Sequence, residues 1–215
     1  MTVEFDLFWS FRSPYSYLAA PRLLALTQDY DVVCRFHAVR PIAVRIDGFF
    51  KTVNPLWPGY VMHDLPREAE QLGLPITWPN PDPIVQDMRT MEVAKDQPYI
   101  THLTRLGIAA ERQGKGLAFA THVAKQIWGG VENWDQGSVL ADAAAKAGLV
   151  FAELEAELTA EKQGLDTQIL ANEEAHTAAG HWGVPLMSFN KEPFFGQDRV
   201  QSLIWRLQQH GLSKR

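Results

Sequence analysis

Hydrophobic and polar positions alternate at the start of the chain, where Val3, Phe5, Leu7 and Trp9 form one set and Glu4, Asp6 and Phe8 the other. A period of two predicts a strand. Beyond Ser10-Phe11-Arg12, Ser13 offers a helix N-cap and Pro14 a first helical residue, and Tyr17, Leu18, Pro21, Leu24 and Leu26 continue a helical stretch to about Thr27. Pro21 is a candidate kink. A second strand, Val32 to Val39, stops at Arg40-Pro41. Strand, helix and strand make a βαβ unit with a parallel pair.

From Ile42 to about Pro83 the chain is rich in Pro and Trp and only partly periodic. That stretch predicts one short helix over Leu65 to Leu72, stopped by Gly73 with Leu74-Pro75 beyond it. Gln86 to Ala179 carries helical spacing, as in Ile100/Leu103/Leu106/Ala110 and Ala118/His122/Val123/Ile127, interrupted at Gly114, Gly129-Gly130, Gly148 and Gly164. No strand is expected there. After Gly180, Val184 to Phe189, the turn Asn190-Lys191-Glu192 and Pro193 to Phe195 read as a hairpin, followed by a helix from Asp198 to about Gln209. The expectation is an α/β fold whose two ends share one sheet: residues 1–60 and 180–215 form one domain, and 61–179 a helical insertion.

Composition narrows the chemistry. At 215 residues the chain buries about 70% of its unfolded surface and needs no disulfides. Its one cysteine, Cys34, cannot form an internal disulfide, a Cys-x-x-Cys redox pair or a thiolate zinc site, and it suits a reducing compartment. Cys34 itself reads as a buried structural thiol. A net charge of -5 without a Lys/Arg cluster argues against a nucleic-acid partner. The absence of a secretory signal pattern and of an apolar run of about 18 residues points to a cytoplasmic protein with no membrane partner. His176 and His181 are the closest histidine pair, and no metal-site spacing is found, so no metal is assigned.

Three segments could carry chemistry. The junction Trp9 to Tyr17 places Ser13 at a helix N-terminus, where unpaired N–H groups favour anions, including thiolates. Gly183-Val184-Pro185 opens a late strand, and Phe195-Gly196-Gln197-Asp198-Arg199 opens the last helix with an acid that could anchor an ammonium. Each also has a plain structural reading: Ser13 and Asp198 as caps, Pro185 as an ordinary first strand residue. Local pattern alone leaves both readings open.

Taken in order, the three segments resemble the DsbA-like branch of the thioredoxin fold. Ser13-Pro14-Tyr15-Ser16 sits where disulfide-exchanging members carry Cys-Pro-x-Cys, with hydroxyls in place of both sulfurs. That replacement, with Gly183-Val184-Pro185 and Gln197-Asp198, is similar over essentially the whole chain to the 2-hydroxychromene-2-carboxylate isomerases and their relatives, the kappa-class glutathione transferases.

The resemblance implies glutathione as cofactor. It implies that Ser13 is catalytic, holding the glutathione sulfur as a thiolate, with Pro14 and Tyr15 lining the same turn. Val184, before a cis Pro185, would pair its backbone with the cysteinyl part, and Gln197 and Asp198 would hold the γ-glutamyl end. Asn54 matches an asparagine near glutathione that borders the substrate pocket. The implied partners are an aromatic substrate and a second copy of the chain in a homodimer. The implied reaction interconverts 2-hydroxychromene-2-carboxylate and trans-o-hydroxybenzylidenepyruvate, or a related aromatic keto acid, in naphthalene-type catabolism. A kappa-like transferase or peroxidase, and a non-catalytic thiol-peptide-binding module, remain as alternatives.

Two departures stand out. The family's lysine in the Pro-rich stretch after the asparagine has no match between Asn54 and Leu65, and His181-Trp182 before Gly183 is unusual. The proposed role of Ser13 is sufficient in size. Lowering a thiol pKa of about 8.5 by two units requires about 2.7 kcal/mol. A charge-assisted hydroxyl bond contributes about 1.5 to 3 kcal/mol and a helix terminus about 0.3 to 1 kcal/mol.

Overall fold

A computed structural model describes residues 2–215. Strand β1 (Val3–Trp9) leads through helix α1 (Pro14–Asp29) to β2 (Val32–Ala38). The two strands pair in parallel from Val3 opposite Val32 to Trp9 opposite Ala38, as the βαβ reading requires. Ser13 caps α1, Pro14 is its first residue, and Pro21 is accommodated inside an unbroken helix.

The next segment is more helical than the sequence predicts. After the single turns α2 (Ile42–Arg45) and α3 (Phe49–Thr52), helix α4 runs from Leu56 to Leu72, not only from Leu65. Pro58 sits in its first turn, where a missing N–H costs nothing, and Pro66 is carried inside it. Its interior-facing residues Val61, Asp64, Leu65 and Ala69 recur at helical spacing. That stripe is short because Leu56, Trp57, Tyr60 and Met62 are exposed, which is why periodicity hides the first half. Gly73 ends the helix in the left-handed conformation, as expected. The division expected between positions 60 and 61 falls inside this helix.

Two short strands, β3 (Gln86–Asp87) and β4 (Glu92–Val93), pair antiparallel where no strand was expected. Two residues per strand are too few to show a period. Helices α5 (Pro98–Arg112), α6 (Gly116–Trp128), α7 (Val139–Lys146), α8 (Phe151–Ala160) and α9 (Lys162–Ala178) follow. Breaks occur at Gly114, Gly130 and Gly148, all with positive φ, but Gly164 lies inside α9, whose start is at Glu161 and Lys162. Strands β5 (Leu186–Phe189) and β6 (Glu192–Phe195), a 3₁₀ turn over 197–199 and α10 (Val200–Gln208) complete the chain.

The ends share one sheet of order β2-β1-β5-β6, with β5 antiparallel to β1 and β6 antiparallel to β5. Val3, Phe5, Leu7 and Trp9 face the main core, which α1, α5, α6 and α10 complete. Phe8 is buried on the opposite face, between His37 and His176 at centroid distances of 4.9 and 5.1 Å. Thus α9 covers one end of the second face, and Glu4 at the other end stays exposed. Among the described residues no helix is long and apolar enough to cross a membrane.

Candidate active site

Parallel pairing aims β1 at the N-terminus of α1, and the β1–β5 pairing brings the Gly183–Pro185 turn beside it. The two segments meet at one hydrogen bond. Ser13 Oγ donates to the Val184 carbonyl at 3.1 Å and accepts from the Ser16 N–H at 3.2 Å. Ser13 is therefore an N-cap and also the bridge between the two segments that sequence alone could only list separately. The peptide bond between Val184 and Pro185 is cis.

The turn is held from behind. His176, fully buried on α9, donates its Nε2–H to the Gly183 carbonyl at 3.0 Å, and the Gly183 N–H donates to His181 Nδ1 at 2.9 Å. Burial pushes the His176 pKa down to about 4, keeping the ring neutral. The His181 ring stacks on Phe195 with centroids 3.8 Å apart. A side chain at Gly183 would run into the Phe195 ring, so glycine here permits the close approach of that ring.

A cavity of about 580 Å³ opens beside Ser13. Ser13, Pro14, Tyr15 and Val184 line it. Its other walls are mostly apolar: Phe49, Trp57 and Met62 on one side, Trp78, Met88 and Met91 on another, Trp182 and Phe195 at the turn. Volume and lining suit a small aromatic ligand. Trp57 and Trp78 therefore face the cavity, whereas Trp128 and Trp134 are core residues.

The remaining proposed residues lie outside this lining. Asn54 is exposed, and its side-chain oxygen accepts from the Leu56 N–H at 3.0 Å, which starts α4. Pro185 accepts the Gly196 N–H at 2.9 Å through its carbonyl, drawing the Gly196–Asp198 segment alongside the turn. Gln197 is buried there, its amide bonded to Arg22 on α1 and Glu68 on α4. The Asp198 carboxylate remains solvent-exposed beside Arg199 at 3.4 Å.

Tyr15, named from the sequence, and further polar groups that sequence reasoning passed over complete the site. Tyr15 donates its hydroxyl to Asp64 at 2.6 Å, and burial together with that carboxylate raises the phenol pKa, so Tyr15 stays protonated. Burial alone would raise the Asp64 pKa, but bonds from Tyr15 and Arg67 outweigh it and keep the group ionised. Arg12 lines the cavity with its charge balanced by Asp82, at 3.0 and 2.8 Å, and stands 5.0 Å over Trp78. Arg45 lines it with no ion pair among the described residues: its Nη2 donates to the Trp182 carbonyl at 3.4 Å, its Nε–H lacks any partner, and Glu173, paired with Arg40, acts on its charge only from a distance. Burial lowers its pKa, yet a guanidinium remains charged. Gln86 and Ser10 also belong to the lining, and their Oε1 and Oγ atoms are buried without partners. A lone basic residue in the apolar run Pro41 to Ile46 was the available sequence signal for Arg45.

Cys34 is packed against the core from β2, and burial, with Glu111 and Asp6 nearby, pushes its thiol pKa well up. It is not a nucleophile poised for attack.

Residues 4–208 match the family model described as a DSBA-like thioredoxin domain. The chain belongs to that family. Within it, the chain is 24% identical over 210 residues to a 2-hydroxychromene-2-carboxylate isomerase of Pseudomonas putida, covering 91% of this chain and 89% of the relative. A solved 2-hydroxychromene-2-carboxylate isomerase superposes with a TM-score of 0.70 at 25% identity, covering 96% and 95% of the two chains. The cytosolic disulfide reductase DsbM from Pseudomonas aeruginosa shares the fold, with a TM-score of 0.61 at 17% identity over 96% and 100%. In this DSBA-like chain the first helical turn carries Ser13 and Ser16, so the thioredoxin scaffold here has no cysteine pair at that position.

Proposed function

We propose that this DSBA-like protein is a glutathione-dependent isomerase acting on 2-hydroxychromene-2-carboxylate or a related aromatic keto acid. The observation that carries the reading is the Ser13 hydroxyl at the N-terminus of α1, set against the Val184 carbonyl at the edge of an aromatic-lined cavity. The residues present suit glutathione. Val184 lies outside the strand ladder, and among the described residues its carbonyl accepts no backbone N–H, only the Ser13 hydroxyl, whose place the N–H of an extended peptide can take. When bound, glutathione supplies a thiolate that adds reversibly to a conjugated keto acid, permitting rotation about the resulting single bond before elimination regenerates the thiol.

The chain's own groups then have distinct tasks. Ser13 Oγ–H and the α1 terminus stabilise negative charge on sulfur. Gln197 and Asp198, beside the Pro185 carbonyl, face the γ-glutamyl end. Arg45 supplies a positive charge for the carboxylate of the keto acid and takes the place of the lysine missing after Asn54. Gln86 Oε1 accepts from the hydroxyl of the hydroxyaryl group, and Trp57, Trp78 and Trp182 exclude water around the ring.

Turnover with sub-stoichiometric glutathione is the test. The proposal expects isomerisation of the chromene carboxylate with no loss of glutathione. Consumption of glutathione in proportion to product would identify a kappa-like transferase instead, and binding without either reaction would leave a thiol-peptide module.

A further inference from the structure

The hydrogen bonds of the Ser13 hydroxyl leave its only proton committed. One hydroxyl has a single donor, and here that donor is on the Val184 carbonyl while the oxygen accepts from the Ser16 N–H. The same hydroxyl is the only donor to the Val184 carbonyl recorded among the described residues. A sulfur arriving at Ser13 therefore meets a hydroxyl that must first leave this carbonyl. If it leaves with nothing to replace it, the carbonyl of half-buried Val184 loses the one protein donor it has.

We propose that the Val184 carbonyl is a selection device: Ser13 is released to a ligand sulfur when an amide N–H on the ligand takes over that carbonyl, so the site activates peptidyl thiols and discriminates against thiols lacking that N–H. The proposal rests on the glutathione reading above and adds to it a coupling between recognition and thiol activation. The geometry favours this exchange for a residue in antiparallel register with Val184, which directs its N–H to the Val184 carbonyl and its side chain toward one face of the pair. A cysteinyl residue so placed carries donor and sulfur together. The Ser13 proton moves from one acceptor to another, and no acceptor is left empty. Behind the turn, the His176 bond to the Gly183 carbonyl and the Gly183 bond to His181 keep the Val184 carbonyl oriented while the exchange takes place.

The experiment compares the bound-thiol pKa of glutathione with that of its ester analogue, in which oxygen replaces the cysteinyl N–H without added bulk. Thiolate absorbance near the ultraviolet edge reports the pKa in the complex, and the pH dependence of Kd reports it when the ester does not saturate. The expected result is a bound pKa higher by about one unit for the ester in the wild-type protein. In Ser13→Ala the two ligands should show the same pKa, because the coupling requires the hydroxyl. Equal thiol pKa values for both ligands in the wild type, with glutathione's clearly lowered, would overturn the exchange and leave the glutathione reading intact. Failure of glutathione to bind, or binding with its thiol pKa unmoved, would overturn the reading on which the exchange rests.

Discussion

The two sides of the cavity differ in how their polar groups are satisfied. On the side of β1, α1 and the Gly183–Pro185 turn, Ser13, Arg12, Tyr15 and Gly183 each have named partners: Val184, Asp82, Asp64 and His176. On the side of α2 to α4 and the 78–91 segment, the lining is aromatic rings and methionines, and Arg45 Nε and Gln86 Oε1 have no partner. The two arginines make the contrast sharp. Arg12 and Arg45 line the same cavity, yet one is balanced by a carboxylate within the fold and the other is not. A charge balanced within the fold supports structure, whereas one held in an apolar wall without a direct ion pair stays available to an anionic ligand.

The largest expected effect comes from breaking the balanced side. Arg12→Gln leaves Asp82, largely buried, without its cation and should destabilise the protein by about 3 kcal/mol, read as a fall in the denaturant midpoint. If stability is unchanged, the pair is not structural and the contrast fails. Ser13→Ala should keep the fold and lose about 100-fold in kcat/KM, the equivalent of about 2.7 kcal/mol of lost thiolate stabilisation. A wild-type rate would remove the thiolate role.

On the unbalanced side, Arg45→Gln should raise KM for a carboxylate substrate about tenfold with kcat and thermal stability nearly preserved. Loss of stability comparable to that of Arg12→Gln would make Arg45 a structural charge as well. The last effect is confined to acid pH and concerns His176, whose folded pKa of about 4 lies below its ordinary 6.5. The unfolded chain binds a proton as pH falls below about 6.5 while the folded ring does not until about 4, so stability declines across that window and is fully present above it. His176→Gln retains a donor toward Gly183 and does not titrate. Urea midpoints measured from pH 7 to pH 4 should fall less steeply in that variant, and parallel curves would show that His176 does not contribute.

Much of the fold was legible in the chain. Alternation in β1, the Ser13-Pro14 cap, the Gly73 stop and the late hairpin all follow from local rules, because each is set by residues within a few positions of one another, and the parallel β1–β2 pair follows from the βαβ connection that joins its strands. The first half of α4 was not legible, because most of its apolar residues face the cavity and solvent instead of forming a core stripe. Strands β3 and β4 are too short to carry a period. In the site, Ser13, Val184 and Pro185 stood out by motif. Arg45, Gln86, Asp64 and His176 did not, since a polar residue's significance depends on which partner it has or lacks.

By itself the sequence determined that no pair of protein thiols could act here, that a hydroxyl stood at the head of the first helix, and that both ends of the chain supplied strands. Those are statements about composition and near neighbours along the chain. Only the tertiary structure decided that the Ser13 hydroxyl meets the Val184 carbonyl 171 positions away, that Arg12 is ion-paired, and that Arg45 is not. Charge balance and hydrogen-bond satisfaction are properties of what surrounds a group in space, and the chain acquires them only when sheet pairing and helix packing bring distant residues together.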